Sequence, residues 1–158
     1  MKASGMRARR IADIGTGTGL LGFAAGKLWP VSQITASDID PVCADVVHFN
    51  ATLNSIPVGP MPGEVTMVIA DGMEDPLLQM RGPYDILIAN ILAGPLVDLA
   101  RDFGASVAPG GSLLLAGLLK GKQESAVRRA YRREGFRLAG RLERGDWAIL
   151  WFRRRKLI

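Results

Sequence analysis

The apolar run Ile11-Ala12-Asp13-Ile14 breaks into Gly15-Thr16-Gly17-Thr18-Gly19 and resumes as Leu20-Leu21-Gly22. This order predicts a strand, a tight loop and a helix. Glycines at 15, 17 and 19 permit positive φ and let a ligand approach main-chain N–H groups that a Cβ would screen. The helix that follows aims its N-terminus at the same place, which favours polar or anionic ligand groups. A glycine-rich turn also serves packing, so the rest of the chain has to give it a context.

Short β-rich runs alternate with longer helical ones, which predicts a largely parallel sheet flanked by helices. Strands are expected near 10–14, 33–38, 64–70, 84–89, 112–117, 136–142 and 147–152, and helices near 20–28, 41–54, 95–107 and 122–134. Only Glu143-Arg144-Gly145-Asp146 joins the last two strands. That is too short for a parallel crossover and requires an antiparallel hairpin. The expectation is one α/β domain: a mostly parallel seven-stranded sheet with a C-terminal antiparallel hairpin and helices on both faces. Three prolines in Ile56-Pro57-Val58-Gly59-Pro60-Met61-Pro62-Gly63 mark a loop with no assigned role.

Two nucleotide patterns compete at the glycine loop. Gly17-x-Gly19-x-x-Gly22 fits the dinucleotide fingerprint, with Asp38 downstream for a ribose. Asp13-x-Gly15-x-Gly17-x-Gly19 resembles more closely the first motif of class I S-adenosylmethionine-dependent methyltransferases. Asp13 weighs toward the second. A carboxylate inside an apolar strand is costly to bury without a partner; a cationic cofactor with a free amino group supplies one, whereas a pyrophosphate would be repelled.

In an open α/β sheet the ligand sits outside the carboxyl ends of the strands, so each strand end is read for chemistry. The second ends in Ala36-Ser37-Asp38-Ile39-Asp40-Pro41. Asp38 is the candidate acceptor for both ribose hydroxyls, with Ile39 flanking an adenine face, and Asp40-Pro41 reads as a helix start. At the third end, Asp71 is placed to accept an adenine amino group and Gly72-Met73 to cover the ring edge; Asp-Gly is also a common turn pair. The fourth runs Tyr84-Asp85-Ile86-Leu87-Ile88-Ala89-Asn90-Ile91. An Asn directly after a buried strand needs partners for its amide. The Asn90 side-chain oxygen and the Ile91 carbonyl are the candidate acceptors for a substrate amine, holding the nitrogen with its lone pair aimed at a methyl group. The cofactor-binding candidates are therefore Asp13, Gly15, Thr16, Gly17, Gly19, Asp38, Ile39, Asp71, Gly72, Met73 and Asn90, and the catalytic ones Asn90 and Ile91. His48 falls mid-helix and is no convincing base. Trp147 and Trp151 share one face of the last strand and read as core.

Asn90-Ile91-Leu92-Ala93-Gly94-Pro95-Leu96, with Ala36-Ser37-Asp38-Ile39-Asp40-Pro41 and the Asp13 glycine motif, resembles the bacterial ribosomal protein L-eleven methyltransferase family, PrmA. The likeness runs from about Arg10 to about Phe152 and includes Ala108-Pro109-Gly110-Gly111 and Gly145-Asp146-Trp147. It implies a Rossmann-like class I methyltransferase fold that uses S-adenosyl-L-methionine to methylate the N-terminal α-amine and lysine ε-amines of a large-subunit ribosomal protein. Carried over by position, Gly15, Gly17 and Asp38 contact the cofactor, Asp13 lies near its methionine part, and Asn90 lies at the methyl-acceptor site. Full-length members also carry an N-terminal substrate-recognition domain, a linker and a pre-core segment that closes over the cofactor; here Met1–Arg9 alone precede the first strand. The alternatives are a cofactor-binding module or truncated catalytic domain without independent activity, or a methyltransferase acting on another amine.

Composition narrows the setting. With 158 residues, 48% of them hydrophobic, one domain can bury a real core. No uninterrupted apolar span reaches membrane length and the start shows no signal region, so a cytoplasmic protein with no membrane partner is expected. One cysteine excludes an internal disulfide, and Cys43 with His48 cannot build a structural zinc site, so no metal is expected. The net charge of +5 gathers at 7–10, 128–133 and 153–156. Without interleaved aromatics these runs read as a basic lead-in over 1–9, solvated helix faces and a frayed tail over 154–158, with the methyltransferase domain spanning 10–153 and no nucleic-acid contact required. Oligomeric state is not legible.

Overall fold

The computed structural model describes residues 7–156; Met1–Met6 of the lead-in and Leu157-Ile158 of the tail lie outside them. The element order is β1 (Arg10–Ile14), α1 (Leu20–Leu28), β2 (Gln33–Asp38), α2 (Val42–Leu53), β3 (Val65–Ile69), α3 (Pro76–Arg81), β4 (Tyr84–Asn90), α4 (Ala93–Asp98), α5 (Ala100–Ser106), β5 (Val107–Leu119), α6 (Lys122–Arg133), β6 (Phe136–Arg144) and β7 (Trp147–Arg154). All seven strands form one sheet in the order β3-β2-β1-β4-β5-β7-β6. Neighbours pair in parallel from β3 through β5, and β7 lies antiparallel to both β5 and β6. The strand order therefore reverses at β1 and β4, whose carboxyl ends carry Ile14 and Asn90.

Alternation along the strands divides the core. Ile11, Ile34, Ala36, Ile86 and Ile88 pack with Phe23 and Ala25 of α1 and Val47 and Ala51 of α2. On the opposite face Ala12, Ile14, Leu87, Ala89, Leu113 and Leu115 meet α3 to α6. Tyr131 centres the second layer against Phe103, Phe136 and Phe152, and its hydroxyl donates to Leu96 O at 2.8 Å. A hydrogen-bonded phenol removes the penalty that an unpaired buried hydroxyl would carry.

Several expectations are corrected. The helix expected at 95–107 begins at Ala93 and divides at Leu99 (φ −78°, ψ 1°) into α4 and α5. Pro95 is tolerated because first-turn N–H groups have no intrahelical acceptor. The strand expected at 112–117 is extended by Val107 pairing with Tyr84, the register shifting between Tyr84 and Ile86. β7 runs through Arg154, two residues beyond the strand end expected at 152. Trp147 is half exposed; the buried face of β7 is Ala148, Leu150 and Phe152 instead.

α3 was not anticipated. It starts on Asp75, whose side chain accepts from Leu77 N and Leu78 N at 2.7 and 3.3 Å, with Pro76 at the first position. Its last residue, Arg81, is buried and donates to Thr35 Oγ1 (3.0 Å), Thr66 Oγ1 (2.8 Å) and Pro60 O (3.3 Å), tying the proline-rich loop to β2 and β3. Desolvation lowers its pKa. Arg81→Ala leaves these acceptors without their donor and is expected to cost about 2–3 kcal/mol, read as a lower urea midpoint at unchanged slope.

Candidate functional site

The glycine loop crosses the carboxyl edge of β1 with φ of 69°, 56° and 85° at Gly15, Gly17 and Gly19. Its shape is fixed from β2 and α2. Thr16 N donates to Ser37 O at 2.9 Å, Gly17 N to Asp38 Oδ2 at 2.8 Å, and Asn50 Nδ2 to Thr18 O at 2.9 Å. The other Asp38 oxygen accepts Asp40 N at 3.1 Å. Asp38 thus clamps the loop to the start of α2, and its two oxygens still have lone-pair capacity for an outside donor. Asp40 accepts Val42 N at 3.0 Å, but α2 starts one residue later than expected, with Pro41 rather than Asp40 at its N-cap.

Asp13 is 1% exposed and points under the loop toward α1. Its Oδ2 accepts Thr16 Oγ1 at 2.6 Å and Gly22 N at 2.8 Å. The chain itself therefore supplies part of the partnership that sequence reasoning looked for in a cofactor. Oδ1 receives no hydrogen bond from the described residues. Burial pushes the carboxyl up to about 6, against the lowering effect of the Thr16 and Gly22 bonds and with help from the negative Asp38. This buried carboxylate, one oxygen unspent, sits at the first turn of α1.

Asn90 ends β4 beside Ala116 of β5, exposed, its amide unbonded to any described residue. The helix that follows is capped at Leu92 without side-chain help, so Asn90 is no cap. Ile91 is wedged between two glycines. A Cβ on Gly15 would collide with Ile91 Cγ2, and one on Gly117 would collide with Ile91 O and lie 2.9 Å from its carbonyl carbon. Gly117, at φ 82°, therefore lets the β4 end approach β5 backbone to backbone. Sequence reasoning missed this residue, because only the pairing of β4 with β5 creates the need. Gly117→Ala is expected to cost about 1–3 kcal/mol and to displace the Ile91 carbonyl. Thermal denaturation of the variant would show the loss as a lower midpoint.

The remaining candidates are less uniform. Asp71 is exposed beyond β3, and Gly72 (φ 55°) takes Leu99 close against it. Met73 belongs to the core cluster, so it forms a wall from beneath rather than a cover. Ile39, Leu20 and Leu92 are 64%, 68% and 70% exposed and rim the same edge; the last two were not anticipated. Nor was Cys43, whose thiol is held up by burial and by bonding to the negative Asp38. His48 is exposed with Nδ1 2.7 Å from Ala44 O, away from the strand ends. Among the described residues no acidic, histidine and cysteine cluster is able to hold a metal.

A seven-stranded sheet with β7 inserted antiparallel between β5 and β6, and a glycine loop flanked by two carboxylates, defines a Rossmann-like methyltransferase domain. Its sequence matches the family described as ribosomal protein L11 methyltransferase (PrmA) over residues 3–155. The chain belongs to that family. It is 38% identical over 142 residues to the ribosomal protein L11 methyltransferase of Rhizobium meliloti, covering 90% of this chain and 46% of the relative. The Brucella suis protein of the same name is 36% identical over 138 residues, covering 87% and 46%. A crystal structure of ribosomal protein L11 methylase from Lactobacillus delbrueckii subsp. bulgaricus superposes with a TM-score of 0.81 at 26% identity, over 98% of this chain and 73% of that one. The chain thus spans about half the length of these curated relatives.

Proposed function

We propose that the chain is the catalytic portion of a protein N-methyltransferase that uses S-adenosyl-L-methionine to modify amino groups of a large-subunit ribosomal protein, in the cytoplasm. The observation that carries the reading is Asp13. A dinucleotide's pyrophosphate would need the first-turn amides of α1, yet Gly22 N is already given to the Asp13 carboxylate, which puts negative charge where a phosphate would sit. A cationic amino group suits that place, and the free Oδ1 is available to it.

In this reading Asp13, Thr16 and the backbone of Gly15, Gly17 and Gly19 hold the methionine part. Asp38 holds the ribose hydroxyls on its remaining lone pairs. Ile39, Asp71, Gly72 and Met73 surround the adenine. When bound, the cofactor supplies an electrophilic methyl group on a positively charged sulfur. The Asn90 amide oxygen and the Ile91 carbonyl accept hydrogen bonds from the incoming amine and fix its lone pair, so the chain contributes orientation above all. Lysine and α-amines must be neutral to attack. The strand-end carboxylates are assigned to the cofactor in this reading and His48 lies away from the site, so the proton leaves to solvent.

The test is transfer of a tritiated methyl group from S-adenosylmethionine to purified large-subunit ribosomal proteins, with the modified residues located by mass spectrometry. Label on amino nitrogen supports the reading. Label on oxygen or carbon would contradict the acceptor chemistry, and cofactor binding with no transfer would leave the chain a holding module.

A further inference from the structure

The basic runs are scattered in the sequence, but the fold gathers them at one end of the sheet. Ser112 pairs with Arg153 and Phe136 with Arg154, while Ile86 pairs with Ser112; all lie at the amino ends of the parallel strands. The glycine loop and Asn90 lie at the opposite ends, about 25 Å away along the eight residues of β7. Between α6 and the β6–β7 pair a cavity of about 400 Å³ is lined by Arg128, Arg129, Arg132, Arg137 and Arg155. Arg137 and Arg155 also line an adjoining cavity with Arg153 and Lys156. Arg7, Arg9 and Arg10 are exposed at the same end of the sheet, near β1.

Most of the guanidinium groups lining the α6 cavity have no carboxylate partner among the described residues. Arg128 meets Glu124 at 3.6 Å, but Glu124 is chiefly engaged by Arg141. Arg129, Arg132, Arg137 and Arg155 form no ion pair among the described residues. Of the acids near this end, Asp85 is engaged by Arg9 N and Arg10 N, and Glu134 lies against Gly104 and forms no ion pair with a described residue. Four like charges around one cavity repel each other unless an anion joins them.

We infer that this α6–β6–β7 end is a binding site for the phosphodiester backbone of RNA, separate from the strand-end site proposed above for methyl transfer. Guanidinium forks match phosphate oxygens bidentately. An acidic peptide would also need apolar anchors: Phe136 and Phe152, which floor the cavity, are 1% and 2% exposed, which leaves the half-buried Leu138 as the apolar side chain it could reach there. A strongly basic surface on a chain of pI about 9.9 is the character of a nucleic-acid interface. The absence of interleaved aromatics, which argued against RNA in the sequence, argues only against base stacking; backbone contact needs none. Bound there, RNA would leave the cofactor edge open and hold an RNA-associated protein substrate on the same molecule.

The experiment is fluorescence anisotropy of a labelled twelve-nucleotide oligouridylate against the full chain between 50 and 200 mM salt. With four phosphates neutralised the affinity should fall about 50-fold across that range. Arg129→Gln with Arg132→Gln should halve the logarithmic salt slope, and Arg137→Gln with Arg155→Gln, on other elements, should do the same. Lys27→Gln with Arg101→Gln removes equal charge elsewhere and should leave the slope alone. The inference fails if no binding occurs at 50 mM salt, if the control pair has the same effect, or if polyglutamate of equal charge displaces the RNA as well as unlabelled oligouridylate does. Calorimetry with S-adenosylmethionine on the same variants reads the other site, so a failure of either reading is seen without the other.

Discussion

Asn90→Ala is expected to lower kcat by about 100-fold while leaving the dissociation constant for S-adenosylmethionine unchanged. The side chain stands at the end of β4, exposed and without a bond to any described residue, so its removal frees no buried partner. It caps nothing, because α4 starts from Leu92. A structural role would appear as a lower unfolding midpoint, and a cofactor-holding role as weaker binding. Loss confined to turnover is the signature of positioning the amine. Asn90→Asp sharpens the test: it keeps an acceptor oxygen but adds a charge, and should bind a protonated amine that cannot attack, with a pH profile displaced toward higher pH.

Asp13→Asn is expected to weaken S-adenosylmethionine binding by about 10- to 100-fold, the range for one charge-assisted contact. The same change should not destabilise the free protein at pH 7.5, and is expected to stabilise it. Burial raises the Asp13 pKa from 3.8 to about 6, so the native state holds this proton more tightly than the unfolded chain does. The contribution to stability is complete below pH 3.8 and is lost as pH rises through about 6, leaving a native state penalised by about 3 kcal/mol above that. Asn keeps an oxygen for Thr16 and Gly22 and removes the charge. Cofactor affinity runs the other way: it needs the ionised carboxylate, so wild-type binding should weaken as pH falls through about 6 and the variant should show no such step. Urea denaturation and calorimetry between pH 5 and 8 read both. An unaltered affinity in the variant would remove Asp13 from the cofactor site.

The glycine loop, the seven strands and the closing hairpin were legible because each is written locally, in glycine spacing, in apolar runs and in a connection too short for a crossover. Asp75-Pro76 carries the same start signal as Asp40-Pro41, but the five residues behind it are too few to show a period, so α3 went unseen. The break at Leu99 and the early start of β5 depend on tertiary pairing, as does the demand for glycine at 117. Asp13 was legible as a costly buried charge, but its bonds to Thr16 and Gly22 required the loop to be folded. The arginines were legible one run at a time, but nothing local says that residues 128–133, 137 and 153–156 share one end of a sheet.

Isothermal titration of the 158-residue chain with S-adenosylmethionine, and in parallel with NAD, bears most directly on the assignment of the strand-end site. One saturable site for S-adenosylmethionine, lost in Asp38→Ala and weakened in Asp13→Asn, with no heat from NAD, is the predicted result. Saturable binding of NAD with none of S-adenosylmethionine would contradict it.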